Sequence, residues 1–448
     1  MCPRFYRGLT FAFILPLLAA CAGRDLAPAP TQVGTSAHAR ARGASTSKIQ
    51  HVVFIVQENR SFNYLFMGFP GALTQNYGYA AGGEKVALRP EKLDTLWDID
   101  HSLAAFLAAD DGGKIDGWNS EYACCTGIPK NFAYAYAPPG EVKPYWDMAK
   151  SYVLADHMFQ SNLDGSFVAH QYTIAAYASH AVDFTTSFWG CPGGPDDTVP
   201  TITKERTYGP SIVACFNNPT IGDEADAAGL SWRSYAGQYD ASGGIWSAYQ
   251  AIEHIYDGPD WTSDVISPPE QVLTDIAAGQ LANITWITPT ADNSDHAGLG
   301  FASRTGPAWV ASVVNAIGQS PFWNSTAIFI MWDDWGGWYD PVAPVYEDYD
   351  GLGFRVPLIV ISPYAKSGYV AHKQYETSSV LRFIEDNFGL GQLARSDRRA
   401  ADPRGDVFDF SQAPRPFAPF KGALPREFWN AQRHPPSDLR AASSVGGD

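Results

Sequence analysis

Four oxygen-donor side chains stand in pairs at the ends of two apolar runs. Glu58 and Asn59 follow the run at residues 52–56, and Asp333 and Asp334 follow the run at 327–331. Short blocks of β-branched and aromatic residues read as strands buried on both faces. Open α/β sheets bind ligands just beyond the carboxyl ends of such strands. Brought together, the four residues make a hard oxygen site for a divalent cation, Ca²⁺, Mg²⁺ or Mn²⁺, with Zn²⁺ also admitted. Two adjacent carboxylates beside a buried strand repel each other, and a cation or a shared proton relieves that. The glycines at 336 and 337 let the backbone turn tightly there.

Ser166 is the candidate nucleophile. It follows Asp164-Gly165, a turn signal, and opens a helical pattern. A helix start favours anionic oxygen, and a nearby cation lowers the pKa of a hydroxyl. Of the ten histidines, His296 in "NSDHAG" follows a strand end, and His101 lies in "DIDHSLAAF". Both suit phosphoryl contact or protonation of a leaving group. His170, one helical turn after Ser166, is a candidate substrate contact. Arg60 is expected to hold the carboxylates in place or to contact substrate.

The elements that must position these groups alternate. Apolar runs at 52–56, 284–287, 327–331 and 357–361 read as strands. Helical patterns begin near Ser166, near Pro307 and at 377–389, the last closing on Gly389. This order predicts an α/β fold with a mostly parallel sheet covered on both faces. Residues 180–265 are rich in Gly, Pro and Trp, with weak periodicity, and read as a cap insertion over the site. The main domain is expected over 48–430, with a polar tail at 431–448.

The first residues read as a leader. Arg4 and Arg7 precede an apolar stretch from Leu9 to Leu18, and Leu18-Ala19-Ala20-Cys21 has the form of a lipoprotein box. A signal peptide over 1–21 and a flexible tether over 22–47 follow. The chain is expected to be exported to the periplasm or outer membrane, held there by a lipid on Cys21, or secreted. Cys124, Cys125, Cys191 and Cys215 then face an oxidising compartment. Either the 124–125 loop crosslinks to the Cys191/Cys215 region, or Cys191 and Cys215 pair. The formal charge of −16, with no Lys/Arg-rich run, excludes a nucleic-acid surface.

Three longer motifs carry a resemblance. "QENRSFNYLFMGFPG" resembles one signature of the bacterial phosphoesterase family that includes phospholipases C and related acid phosphatases. "DDWGGWYDPVAP" resembles its second signature. "FRVPLIVISPYAKSGYV" with "SSVLRFIEDNFGL" resembles its C-terminal core. The resemblance implies an alkaline-phosphatase-like three-layer α/β/α sandwich with a cap. It implies a divalent metal held at Glu58, Asn59, Asp333 and Asp334, a nucleophile at Ser166, and phosphate-contacting histidines at His101 and His296. It also implies a phosphate mono- or diester as substrate, phospholipid among the candidates. Two departures stand out: "DGSFVAH" around the nucleophile, and Pro341 where the family signature carries a histidine. Sulfate-ester or phosphonate hydrolysis, or a non-catalytic binding lipoprotein, are the alternatives.

Overall fold

The computed structural model describes residues 47–122, 127–186, 188–237, 246–298 and 304–433. The leader with Cys21, nearly all of the tether, Cys124, Cys125 and the tail from 434 lie outside these residues.

The apolar runs become the centre of an eight-stranded sheet. Its strands are β1 (His51–Gln57), β2 (Val153–Ala155), β3 (Trp232–Tyr235), β4 (Val265–Ile266), β5 (Ile284–Ile287), β6 (Thr326–Trp332), β7 (Leu358–Ile361) and β8 (Tyr369–Ala371). Their spatial order is β4-β3-β5-β1-β6-β7-β2-β8. Only β7 runs against its neighbours. The sheet is therefore mixed and mostly parallel, as the sequence predicts. In β1, Val52, Val53, Phe54, Ile55 and Val56 are all buried, each contributing about 1.5–3 kcal/mol relative to exposure.

Helices cover both faces. They are α1 (Lys143–Ser151), α2 (Ser166–Ala175), α3 (Ile221–Ala228), α4 (Gln271–Ala277), α5 (Gly306–Gly318) and α6 (Ser378–Phe388). Phe54 is in register with Trp286 on one side and Phe329 on the other, so all three share a face. On that face Trp286 donates to the Thr173 carbonyl of α2, and Phe329 packs 5.0 Å from Phe383 of α6. Trp332, an odd number of residues from Phe329, points the other way and meets Tyr145 of α1 at 4.8 Å. Helix α1 packs on α5 and α5 on α4, while α2 packs on α3 and α6.

One boundary differs from the expectation. The second half of the 180–265 segment supplies α3, β3 and β4, an edge of the main sheet. Trp232 and Tyr235 are buried there, and Trp232 stacks on Tyr249 at 4.6 Å. Strands this short carry too little alternation to be told from loop in a Trp- and Gly-rich stretch.

Candidate active site

Strands β1 and β6 lie side by side and parallel, with Gln57 opposite Trp332. Register alone then delivers Glu58-Asn59 and Asp333-Asp334 to one rim. Asn59 takes a left-handed backbone, φ +60°, which asparagine tolerates better than most residues. Its N–H donates to Asp333 Oδ1 at 3.0 Å. The turn after Asp334 passes so close that a Cβ on Gly336 would lie 2.2 Å from the Asn59 carbonyl oxygen. Gly336 in turn donates its N–H to Asp334 Oδ1 at 2.7 Å. The polar end of the first strand is thus locked to the acidic pair by backbone contacts.

Ser166 is the first residue of α2, and Gly165 is the cap. The serine hydroxyl is therefore not occupied in capping. It lies 3.0 Å from Asp334 Oδ2 and 3.2 Å from the Asn59 side chain. Ser166 is buried, with a relative exposure of 1%.

The site is strongly acidic and buried. Glu58, Asp333 and Asp334 are each fully buried. Burial pushes the Glu58 carboxyl well above its usual range, and the neighbouring Asp333 and Asp334 carboxylates push it further. Burial and Asp333 do the same to Asp334. Asp333 Oδ2 has no hydrogen-bond partner among the described residues. Three buried carboxylates with an orphaned oxygen fit a divalent cation, which removes both the repulsion and the unmet acceptor.

His170 joins this cluster. Its Nε2 is 2.7 Å from Glu58 Oε1 and 3.6 Å from Asp333 Oδ2. These three donor atoms lie within 4.8 Å of one another. Burial holds the imidazole down at about 4 despite Asp333. His170 thus stands among the carboxylates, where the sequence placed it only as a substrate contact.

Two further imidazoles flank Asn59. His101 Nδ1 faces the Ile99 carbonyl at 2.7 Å, and His296 Nδ1 faces the Ala297 carbonyl. Both Nε2 atoms are 2.9 Å from the Asn59 amide, whose other end faces Glu58, Asp333 and Ser166. With the carboxylates bare, the amide nitrogen belongs on the acidic side, 3.0 Å from Glu58 Oε2 and 3.2 Å from Asp333 Oδ1. A cation held there would favour the opposite orientation, with the amide oxygen turned toward its positive charge. Burial lowers the His101 pKa, but Asp334 and Asp98 outweigh it and raise it to about 9. Burial lowers that of His296, with Asp98 opposing.

Arg60 is placed elsewhere. Its guanidinium lies over Tyr64 and Trp338 and donates to the Leu93 carbonyl at 2.9 Å. The core aromatics hold it, and its Nη1 also donates to the Asn59 carbonyl at 3.4 Å.

Aromatic side chains back the histidines. Phe184 meets His101 edge-on at 5.6 Å, Trp189 meets His170 at 6.2 Å, and Trp246 stacks on His296 at 5.6 Å. All three come from the segment read as a cap.

Several supporting residues carry no sequence signal of their own. Asp295, beside His296, accepts from Tyr145 (2.8 Å) and Trp332 (3.0 Å). Burial raises its pKa to about 6 against the pull of Tyr145 and Arg60. Asp340 pairs with Arg355 through two contacts of 2.8 and 3.1 Å, both side chains fully buried. The adjacency of Asp295 to His296 and of Asp340 to the "GGWYD" turn is the only hint the sequence offers. The Cys191–Cys215 disulfide is formed, the second of the two expected pairings. A groove of about 640 Å³ between α4, α5 and residues 423–427 contains none of these side chains.

The sequence pattern of the phosphoesterase family matches residues 49–391. Hemolytic phospholipase C of Pseudomonas aeruginosa is 25% identical over 440 residues, covering 83% of this chain and 57% of that protein. Phospholipase C B of Mycobacterium tuberculosis is 24% identical over 438 residues, covering 83% and 80%. Non-specific phospholipase C1 of Arabidopsis thaliana is 23% identical over 393 residues, covering 76% and 67%. The chain spans 57% and 59% of the first two relatives, the second being non-hemolytic phospholipase C of Burkholderia pseudomallei. Among solved structures, a protein in the alkaline phosphatase superfamily from Vibrio parahaemolyticus aligns with a TM-score of 0.36 and 9% identity, covering 79% of this chain and 71% of that one.

Proposed function

Because this chain belongs to the phosphoesterase family, we propose that it is a metal-dependent phosphoesterase of the phospholipase C type, with Ser166 as nucleophile. The observation that carries the reading is the Ser166 hydroxyl, 3.0 Å from Asp334 at the edge of a buried carboxylate cluster in which Asp333 Oδ2 has no partner among the described residues.

A divalent cation held by Glu58, Asn59, Asp333 and Asp334, with His170 beside them, would supply the positive charge that stabilises a serine alkoxide and the phosphoryl oxygens. Ser166 gives its proton to Asp334, the acceptor it already contacts, and its Oγ attacks phosphorus as the bond to the leaving oxygen breaks. The free N–H groups at the start of α2 face the transferring phosphoryl group. His101 Nε2 protonates the leaving oxygen. Water then attacks the phosphoserine, yielding a proton to His296 Nε2, which passes through solvent to restore His101, and Ser166 Oγ recovers its own from Asp334. The Nδ1 contacts to backbone carbonyls keep both Nε2 atoms turned inward.

Phe184, Trp189 and Trp246 form the part of the cap that reaches the site, and their aromatic faces suit a substrate with an apolar portion such as a phospholipid. The disulfide supports export, and lipid attachment at Cys21 completes that reading. The test is hydrolysis of a chromogenic phosphomonoester and a phosphorylcholine diester by the purified chain. Ser166→Ala should lower turnover by about 10³-fold or more, and EDTA should abolish it reversibly. Wild-type turnover in Ser166→Ala would overturn the assignment.

A further inference from the structure

A second donor cluster lies at the edge of the sheet and shares no residue with the first. Strands β2 and β8 pair in parallel at the edge, with Ala155 opposite Ala371. The next residues, Asp156 and His372, therefore leave the sheet side by side, and the Asp156 N–H donates to the Ala371 carbonyl at 3.0 Å. His157 follows, and its carbonyl accepts from the Tyr375 N–H at 2.8 Å. Backbone bonds on both flanks fix the three residues relative to one another.

Their side chains converge. His157 Nδ1 is 2.8 Å from Asp156 Oδ1, and His372 Nδ1 is 2.9 Å from the same oxygen and 3.0 Å from Oδ2. All three donor atoms lie within 4.8 Å of one another. The Asp156 carboxylate is fully buried, whereas the His157 and His372 side chains are 29% and 59% exposed. One anchored anionic ligand thus meets two imidazoles open to solvent. Asp156 is itself held from behind. Leu73 N–H donates to Oδ2 at 2.8 Å, and Arg355 donates to the Asp156 carbonyl at 2.5 Å and to the Leu73 carbonyl at 3.1 Å. Such outer contacts orient a ligand before any ion arrives.

We propose that Asp156, His157 and His372 form a second metal site, for Zn²⁺ or a similar borderline divalent cation, bound through the carboxylate and the two Nδ1 atoms. Two imidazoles and one carboxylate select such ions over Mg²⁺ and Ca²⁺, which prefer all-oxygen sets. Solvent completes the coordination. Bound there, the ion clamps the edge strand β8 and the turn after it to β2.

The test is zinc content after chelator stripping and equilibrium dialysis against micromolar Zn²⁺. His372→Ala, a change at an exposed side chain, should hold one equivalent less than wild type, and the same difference should persist in an Asp333→Asn background. Equal zinc content in wild type and His372→Ala overturns the proposal. A second measurement uses the unmodified sequence. A metal on Nδ1 moves the imidazole proton to Nε2 and removes the lone pair that diethyl pyrocarbonate attacks. Zn²⁺ should therefore suppress modification of His157 and His372, read by peptide mass spectrometry, and Mg²⁺ should not. Unchanged modification with Zn²⁺, or equal protection by Mg²⁺, overturns it.

Discussion

His170 Nε2 stands 2.7 Å from Glu58 Oε1, with both side chains buried. A neutral imidazole and a carboxylate at this separation, beside an orphaned Asp333 oxygen, are poised to share a cation. His170→Ala is expected to weaken divalent-metal affinity about 10- to 100-fold, measured by isothermal titration of the chelator-stripped protein. Unchanged affinity would leave His170 as a hydrogen-bonding partner of Glu58 only.

The raised carboxyls set a pH dependence. Glu58 and Asp334 titrate above their ordinary values in the metal-free chain, so each keeps its proton to higher pH than an ordinary carboxyl, and a cation must displace it. Metal uptake should release protons, and affinity should fall as pH is lowered. Titrations in two buffers of different ionisation enthalpy would show this as a difference in observed heat.

The same shifts act on stability. A group whose folded pKa is raised contributes stability below its unfolded pKa, and that contribution is lost as pH rises through the folded value. Glu58, Asp334 and His101, the last near 9, all have this sign. The metal-free protein should therefore lose stability from these groups as pH rises from the acid range toward 9. The gap in melting temperature between metal-loaded and EDTA-treated protein should widen with pH. A gap that narrows would contradict the assignment.

Asp340 and Arg355 form a buried two-contact ion pair, and Asp340 also accepts from the Asn63 and Val342 N–H groups. Asp340→Ala would strand the guanidinium and should cost about 3–5 kcal/mol, read from urea unfolding.

The Cys191–Cys215 bridge closes a span of 24 residues. Replacing both cysteines with serine should cost about 3 kcal/mol. The unfolding midpoint of the double variant, against wild type under oxidising conditions, measures it.

What could be read from the chain follows from length and contrast. Strands β1 and β6 are seven-residue runs long enough to stand out, β5 shows through Ile284, Trp286 and Ile287, and the polar ends of β1 and β6 mark the rim where Glu58, Asn59, Asp333 and Asp334 meet. Helix α6 announces itself through its spacing and the left-handed Gly389 at its end. Strands β2, β3, β4 and β8 span two to four residues each, too short for a period to show, which is why β3 and β4 read as cap. His170 lay in a helix pattern whose side-chain direction only the packing of α2 against the sheet decides. Arg60 follows two metal-side residues in sequence, yet its long side chain finds Tyr64 and Trp338, where its cationic face is stabilised by the rings. Asp156, His157 and His372 are brought together by strand pairing over more than 200 residues, a distance at which no local pattern speaks.

The central claim is that Ser166 carries the phosphoryl group. Acid quenching of a rapid single turnover, followed by peptide mass spectrometry, tests it directly. A phosphate on Ser166 that appears and decays within the turnover, and is absent from Ser166→Ala, is the predicted result. Product formed at the wild-type rate with Ser166 unmodified throughout would contradict it.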